Sequence, residues 1–185
     1  MTRKIYFNTV NPIKEREIKE IFSDCDVDLR FLKNDVTEIL SNDIEKVIMA
    51  KAAEAYMKCR VSIIVEHGGL LIDHLNNFPG ALSKPMWDLL GPKICNLIPA
   101  GVPRTARAVS GVCYCDGMVR KVFIEETNGE IAIKGRGTNG FQWDPIFIPQ
   151  NGKDETYAEM TQTEKLKYSQ ARKAYDKLKE HLQLL

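Results

Sequence analysis

Residues 61–65, Val-Ser-Ile-Ile-Val, form a largely apolar run that is followed by an ionisable pair, Glu66-His67, and then by Gly68-Gly69. Such runs are typical of a strand that is buried on both faces, which occurs in sheets covered by helices. Polar residues at the end of such a strand are where α/β proteins place ligand groups. The segment therefore predicts an α/β fold with a candidate site at Glu66 and His67, although an ordinary exit from a strand into a loop would show the same residues.

The other predicted elements alternate between helix and strand in the first half of the chain and then form a meander. Asn11-Pro12 and Ser41-Asn42-Asp43 predict helix starts, and Asp116-Gly117 and Asn128-Gly129 predict hairpin turns. We also expect strands at 4–7, 27–32, 106–115, 118–125 and 145–148, turn-rich or glycine-rich segments at 67–80 and 135–140, and helices at 83–90 and from 163 onward. The 185 residues therefore predict a single domain, 1–185, with a mixed α/β sheet and two lobes.

The composition argues against several classes of protein. Lys and Arg number 26 and Asp and Glu 25, so no nucleic-acid partner is expected, because duplex binders usually carry a clear basic excess. The sequence contains no run of roughly 18 apolar residues, so no membrane-spanning helix is expected. The five cysteines lack the spacing of a disulfide framework, and we interpret Cys113 and Cys115, on one face of a predicted strand, as small buried hydrophobes and not as metal ligands. A reducing cytoplasmic setting fits these features, and the first residues predict a strand and not a signal peptide.

A first candidate for chemistry is the strand, loop and helix start that contain Thr9, Asn11 and Lys14. Free N–H groups at a helix N-terminus favour an anion. Lys14 lies one turn into the helix and can reach the same anion. Taken alone, the segment also fits a well-capped helix with surface lysines.

Residues 135–145 combine glycines, aromatic rings and charges more densely than any other segment. Glycines let a backbone approach a ligand closely. Phe141 and Trp143 can stack on a planar base, and Asp144 can accept hydrogen bonds or help to hold a metal. A hairpin loop with core aromatics is the alternative. A predicted final helix places three polar residues on one face, a pattern usual for a solvated surface: Lys165, Ser169 and Arg172.

In this order, the segments resemble the inosine-triphosphatase/Ham1 family of nucleotide pyrophosphatases, over nearly the whole chain. The opening motif T-x-N-x-x-K-x-x-E runs from Thr9 to Glu17, and the K-A pair that ends a helix is Lys51-Ala52. The other motifs are V-[ED]-D-[TS]-G-L at 65–70, D-x-L-x-x-x-P-G at 73–80, S-K at 83–84, a nearly intact R-G-T-N-G-F-G-W-D-P-I-F at 136–147, A-E-M at 158–160 and E-K at 164–165.

The resemblance implies an enzyme that cleaves a non-standard or modified purine nucleoside triphosphate to the monophosphate and pyrophosphate, using Mg²⁺ or, alternatively, Mn²⁺. It also implies an elongated central mixed sheet with flanking helices, two lobes around a central cleft, and a homodimer. Carried over to this sequence, the catalytic residues are Lys14, Glu66 and His67, and the metal ligands are Glu45 and His67. The substrate-binding residues are Thr9, Asn11, Lys14, Lys51, Ser83, Lys84, Phe141, Gln142, Trp143, Asp144, Lys165, Ser169 and Gln170.

Three departures from the family pattern fall on this predicted site. His67 stands where the family has an Asp that is expected to bind the metal and act as general base. Imidazole is a poorer Mg²⁺ ligand than carboxylate, although it can be a base near neutral pH. Gln170-Ala171 replaces the His-Arg pair for the 6-oxo group of the base, and Gln142 replaces a glycine. Two hypotheses follow: an active pyrophosphatase in which His67 has a changed role, or a catalytically altered or inactive nucleotide-binding homologue.

Overall fold

The structure, a computed structural model, describes residues 3–183. Within this range the helices are α1 (Pro12–Ile21), α2 (Ile44–Cys59), α3 (Ser83–Leu90), α4 (Gln162–Tyr168) and α5 (Gln170–Gln183). The strands are β1 (Arg3–Asn8), β2 (Val27–Leu32), β3 (Ile63–Ile72), β4 (Phe78–Gly80), β5 (Thr105–Cys115), β6 (Arg120–Ile131) and β7 (Phe147–Pro149). Short 3₁₀ helices occur at Asp73–Leu75, Gly91–Leu97 and Asp144–Ile146.

The seven strands of the described range form one mixed sheet in the order β2-β1-β3-β5-β6-β7, and β4 pairs with the end of β3. β1 runs parallel to both β2 and β3, as the helical connections α1 and α2 require. From β3 onward the pairings are antiparallel. This arrangement confirms the predicted mixed α/β sheet with flanking helices. The assignment of 1–185 to a single domain stays a prediction.

The hydrophobic core is divided into separate clusters along the sheet. Ile64 of β3 packs in a cluster with α1 and α5, whereas Leu70 of the same strand packs in a cluster with α3 and the segment around Phe147. The intervening residues of β3, 66–69, are polar or glycine. They lie where these two clusters separate, and this position determines where the candidate site forms.

The predicted turn at 67–80 is wrong in its first half, because β3 continues to Ile72. His67 to Gly69 are paired residue by residue with β5. Gly69 is needed in this strand for packing, because a Cβ atom at this position would lie 2.6 Å from the carbonyl oxygen of Gly80. Gly69 therefore allows β4 to lie against β3, and the chain turns only after Ile72.

The predicted hairpin turn at Asn128-Gly129 is also wrong, because β6 is continuous through these residues. Gly129 pairs with Ala106 on one side and Pro149 on the other. A side chain at this position would overlap the carbonyl oxygen of Ile148. The glycine thus permits close approach of β7, whereas the Asp116-Gly117 turn lies between β5 and β6 as predicted.

The predicted final helix is two helices, since Ser169 breaks it in an extended conformation with φ −62° and ψ 124°. The Ser169 hydroxyl then accepts the N–H of Arg172 and caps α5. The expected common face of Lys165, Ser169 and Arg172 is therefore wrong. Lys165 belongs to α4, and Arg172 pairs with Asp176 on α5.

The two predicted helix caps and the predicted burial of Cys113 and Cys115 are confirmed. Asn11 caps α1 by accepting the N–H of Ile13 at 2.9 Å, and Asp43 caps α2 by accepting that of Glu45 at 3.0 Å. The cysteines are free thiols, and Cys113 and Cys115 are buried on the sheet face that α2 covers. Among residues 3–183, no helix is both long and apolar enough to cross a bilayer.

Candidate active site

A cavity of about 550 Å³, which we call the outer cavity, opens beside the middle of β3. Eight of the predicted site residues line it: Thr9, Asn11, Lys14, Lys51, Glu66, His67, Lys84 and Gln142. The topology explains why they meet. β1 and β3 are adjacent parallel strands. The start of α1 and the middle of α2 lie beside the end of β1 and the middle of β3. Residues far apart in sequence thus share one hollow.

Glu66 is a buried carboxylate with hydrogen-bond or ion-pair partners on both oxygens. Its Oε1 lies 3.2 Å from Lys14 Nζ and 3.1 Å from the Ser110 hydroxyl. Its Oε2 accepts the Tyr175 hydroxyl at 2.8 Å. Burial alone would raise the pKa of Glu66, but Lys14 and the hydroxyl donors outweigh it and lower that pKa. Glu66 is thus an ionised anchor for Lys14, with its acceptor positions in use.

His67 faces the other side of the sheet, as alternation along a strand requires. Its Nε2 lies 2.8 Å from the carbonyl oxygen of Ala81. Because a carbonyl only accepts, Nε2 carries the hydrogen of this bond. Its Nδ1 lies 3.4 Å from Glu38 Oε1. Nδ1 is therefore the ring nitrogen that can exchange a proton or bind a metal, and when it carries a hydrogen it donates to the Glu38 carboxylate.

Glu38 is a cavity residue that the sequence analysis did not identify. Its Oε1 lies 2.6 Å from Lys51 Nζ, which also donates to the backbone carbonyl of Glu66 at 3.2 Å. The contact with His67 and the charge of Lys51 hold the pKa of Glu38 well below its ordinary value, against partial burial. Burial and the nearby Lys14 ammonium lower the pKa of Lys51. Glu38 therefore places an ionised carboxylate between Lys51 and His67.

Glu38 lies on an irregular segment, residues 34–38, that we call the strap. Asn8 holds its start through paired hydrogen bonds with the backbone of Asn34, at 2.9 and 3.0 Å. One face of α2 holds the rest: Lys58 donates to the carbonyl of residue 35, and Glu54 accepts the N–H of residue 37 at 3.1 Å. Together with Lys51, these α2 residues recur every three or four positions, and they fix Glu38 in place without regular secondary structure.

A second, inner pocket of about 30 Å³ continues from the outer cavity beneath Phe141. The predicted residues that line it are Lys14, Glu66, Phe141, Gln142, Trp143, Asp144, Lys165, Ser169 and Gln170, joined by Glu17 and Ala171. A space of this size is about that of one water molecule. The inner pocket must therefore widen before it can take a purine.

Lys165 is the central charge of the inner pocket. Its ammonium lies 2.9 Å from Asp144 Oδ2 and 3.2 Å from Glu17 Oε1. Burial favours the neutral amine, but the two carboxylates outweigh it and raise the pKa of Lys165. Burial raises the pKa of Glu17, partly offset by Lys165. The ring of Phe141 lies over this ammonium, with its centroid 5.0 Å from Nζ.

The inner pocket also contains the amide of Gln170. Its Oε1 lies 3.2 Å from the Tyr157 hydroxyl, which is itself buried. Trp143 lines the same pocket but is only 7% exposed, and it packs against Phe147 and Tyr157. Trp143 therefore packs in the core and also lines the pocket. Both interpretations of residues 135–145, a ligand-binding segment and a loop with core aromatics, thus apply to this side chain.

Two predicted site residues lie outside both cavities. The Ser83 hydroxyl is buried, where it accepts the N–H of Leu70 at 2.7 Å and donates to the carbonyl of Gly80 at 2.6 Å. Glu45 is exposed on the first turn of α2. Glu38, not Glu45, is thus the glutamate that the fold brings to Lys51.

The chemistry of these donors can be compared with that of a metal site. Among residues 3–183, no three His, Cys, Asp or Glu side chains cluster as a ligand set. Mg²⁺ is commonly held by one or two carboxylates together with substrate phosphates and water. The carboxylates of Asp35, Glu38, Glu66 and Asp88 line the outer cavity, and that of Glu38, beside Lys51 and His67, fits this mode of binding.

Comparisons with known proteins identify the family of the chain. The model of the Ham1 family matches residues 5–181. A dITP/XTP pyrophosphatase of Saccharolobus solfataricus is 36% identical over 97% of this chain and 94% of its own. One from Methanopyrus kandleri is 36% identical over 96% of this chain and 95% of its own.

Solved structures give the same result for the fold. A HAM1 protein from Coxiella burnetii superposes with a TM-score of 0.84 at 24% identity, with full coverage of both chains. A nucleoside-triphosphatase, dITP/XTP pyrophosphatase, from Mycobacterium abscessus gives a TM-score of 0.73 at 26% identity, over 95% of this chain and 97% of its own. The chain therefore belongs to the Ham1 family.

Proposed function

We propose that the protein is a nucleoside-triphosphate pyrophosphatase that hydrolyses non-standard purine triphosphates, such as dITP and XTP, to the monophosphate and pyrophosphate. The observation that carries this proposal is the junction of the two cavities. The outer cavity offers lysine ammonium groups, the inner pocket offers aromatic and amide groups, and Lys14 and Gln142 line both. The names of the relatives from S. solfataricus and M. kandleri support the same substrates.

The outer cavity is suited to the triphosphate. Lys14 has one close acceptor, the Glu66 carboxylate, and Lys51 has two, the Glu38 carboxylate and the Glu66 carbonyl, so at least one N–H of each ammonium remains for phosphate oxygens. Asn11 and Thr9 lie at the start of α1, where backbone N–H groups favour an anion, and Lys84 stands on the opposite wall. Cleavage places negative charge on the departing pyrophosphate, and the two ammonium groups stabilise it.

The inner pocket is suited to the base and sugar. We assign the base to the space between Phe141, Trp143 and Gln170, with Asp144 as an acceptor. Gln142, Lys165 and Ser169 complete its wall. Because the pocket holds about 30 Å³ in the free protein, binding requires Phe141 or its loop to move.

The reaction requires a divalent cation, which we propose to be Mg²⁺, with Mn²⁺ as the alternative. When bound, the cation neutralises phosphate charge and polarises the phosphorus–oxygen bonds. Glu38 is the residue of this chain that fits it best, and we assign to Glu38 the role that the family resemblance gave to Glu45. His67 Nδ1 is beside it, 3.4 Å from the Glu38 carboxylate, and either ligates the cation or orients Glu38.

The alternative function, a catalytically altered or inactive nucleotide-binding protein, is favoured by one observation. His67 Nε2 is committed to the carbonyl of Ala81, so only Nδ1 can act as the general base. Nδ1 can do so only if Glu38 leaves it. A protein in which this exchange does not occur would bind the nucleotide without turning it over.

Pyrophosphate release separates the two functions. The purified protein is assayed with dITP, XTP, ITP, GTP and dATP, each with Mg²⁺ and with Mn²⁺, and binding is measured by calorimetry. The proposed enzyme releases pyrophosphate from dITP and XTP faster than from dATP. Binding without release from any of the triphosphates would establish the alternative, and a lack of binding would contradict both.

Two further assignments extend the proposal. We propose a homodimer, which analytical ultracentrifugation of the purified chain tests directly. We also propose a cytoplasmic location and a small-molecule substrate with no nucleic-acid partner. The nearly balanced charge of +1 supports the last point.

A further inference from the structure

We infer that Tyr175 is a positioning residue for triphosphate binding: its buried hydroxyl fixes Glu66, and Glu66 fixes the ammonium of Lys14. This inference rests on the proposed function, because it assigns Lys14 to the phosphates. It adds a residue of the C-terminal helix, outside both cavities, to the residues that determine substrate affinity.

The geometry around Glu66 carries the inference. Three donors from three different elements converge on this one carboxylate of β3: the Tyr175 hydroxyl of α5 at 2.8 Å, the Ser110 hydroxyl of β5 at 3.1 Å and Lys14 of α1 at 3.2 Å. The two hydroxyls leave the carboxylate little freedom to rotate. Lys14 is the partly exposed member, with 17% of its side chain accessible, and it faces the outer cavity.

Tyr175 acts through Glu66 because it does not touch the substrate space. It lies in the core at 1% exposure and lines neither the outer cavity nor the inner pocket. Phe7 and Phe22 contact its ring edge to face, with centroids 6.1 Å away in each case. These contacts hold the ring independently of the hydroxyl, so a phenylalanine can keep the packing and lose only the hydrogen bond.

Loss of the hydroxyl would leave Oε2 of Glu66 buried without a donor. A buried acceptor that loses its partner is strongly destabilised. The remaining mobile donor is Lys14, so the carboxylate turns toward it and draws the ammonium away from the cavity. Phosphate affinity therefore falls although no residue that contacts the phosphate has changed.

The test is a double-mutant cycle on the full chain. We measure the dissociation constant of α,β-methylene dITP with Mg²⁺ for the wild type, Tyr175→Phe, Lys14→Ala and the double variant. Tyr175→Phe is expected to weaken binding by roughly fivefold to tenfold, less than the full effect of one hydrogen bond to a charged group, because Tyr175 acts on the ligand only through Lys14. In the Lys14→Ala background it is expected to have no further effect, because its action passes through Lys14.

Tyr114→Phe is the matched control. Tyr114 belongs to the same core cluster, and its hydroxyl lies 3.4 Å from both Ser62 and Asp116, away from Glu66. Tyr114→Phe should leave the dissociation constant unchanged. If Tyr175→Phe does not fold, Ser110→Ala replaces it, with a smaller loss of affinity and the same dependence on Lys14.

Each other result overturns the inference in a recognisable way. A folded Tyr175→Phe with wild-type affinity, or an equal loss in the Lys14→Ala background, would show that Tyr175 does not act through Lys14. In both cases the proposed function survives if Lys14→Ala alone weakens binding. If Lys14→Ala has no effect, the placement of the phosphates in the outer cavity fails as well.

Discussion

The lysines of the outer cavity and the lysine of the inner pocket have different surroundings. Lys14 and Lys51 each have one close carboxylate, and 17% of each side chain is exposed. Lys165 lies between two carboxylates and is 10% exposed. The comparison separates two uses of one residue type. A lysine beside one carboxylate keeps positive charge available to an anionic ligand, whereas the charge of a lysine between two buried carboxylates is compensated within the protein and mainly stabilises the fold.

The largest expected effect is on stability, at Lys165. Lys165→Ala leaves Asp144 and Glu17 buried without a cation, and breaking a buried ion pair in this way lowers the free energy of unfolding by about 3–5 kcal/mol. Urea unfolding followed by circular dichroism measures the loss. Lys167→Ala, on the exposed face of the same helix, is the control and should stay within about 0.5 kcal/mol of wild type. A loss below about 1 kcal/mol for Lys165→Ala would remove the distinction drawn here.

The next effect is on binding, at Lys14. Lys14→Ala removes an ammonium from the outer cavity, where we propose that the phosphates bind. The dissociation constant of α,β-methylene dITP should therefore rise roughly tenfold to a hundredfold, and that of dIMP much less. The free energy of unfolding should change less than for Lys165→Ala. The control is Lys19→Ala, because Lys19 lies on the same helix, is exposed and pairs with Glu15. Equal losses for the triphosphate and the monophosphate would place Lys14 elsewhere.

A smaller effect is expected from the strap. Glu54→Ala removes the acceptor for the N–H of residue 37, loosens Glu38 and weakens Mn²⁺ binding in the presence of α,β-methylene dITP by about threefold to tenfold. Electron paramagnetic resonance of free Mn²⁺ measures this. Glu54→Gln keeps an acceptor and should recover most of the loss. Lys46→Ala, which pairs only with Asp43 at the surface, should bind Mn²⁺ like wild type. Identical behaviour of Glu54→Ala and Lys46→Ala would show that the strap does not position Glu38.

The smallest effect is on acid stability. The pKa of Glu66 and that of Glu38 are lowered in the folded state. Their contribution to stability is therefore fully present above the unfolded pKa, about 4.3, and is lost as the pH falls through the folded values. The free energy of unfolding should fall on acidification below about pH 4, with a shallower slope for Glu66→Gln than for the wild type. A slope in Glu66→Gln equal to that of wild type would contradict this assignment.

Local rules predicted much of the fold. Asn11 and Asp43 cap helices as their side chains require, and the Asp116-Gly117 turn joins two strands as expected. The same rules failed at Gly69 and Gly129, where each glycine lies inside a strand to admit a neighbouring backbone. A glycine needed for close approach and a glycine needed for a turn look alike in one sequence.

The candidate site shows a similar limit. The sequence motifs assigned Lys14, Lys51 and His67 to one site, and all three line the outer cavity. They did not identify Glu38, because the strap has no periodic pattern and is positioned by side chains of α2. They did not identify Tyr175 either, because Tyr175 lies 109 residues from Glu66 in the chain and its hydroxyl reaches that carboxylate only in the folded structure.

The most direct test of the account is a crystal structure with α,β-methylene dITP and Mg²⁺. We predict that the triphosphate contacts Lys14 and Lys51 in the outer cavity, and that the base occupies a widened inner pocket between Phe141 and Gln170. A base bound outside that pocket, or phosphates that contact neither Lys14 nor Lys51, would contradict it.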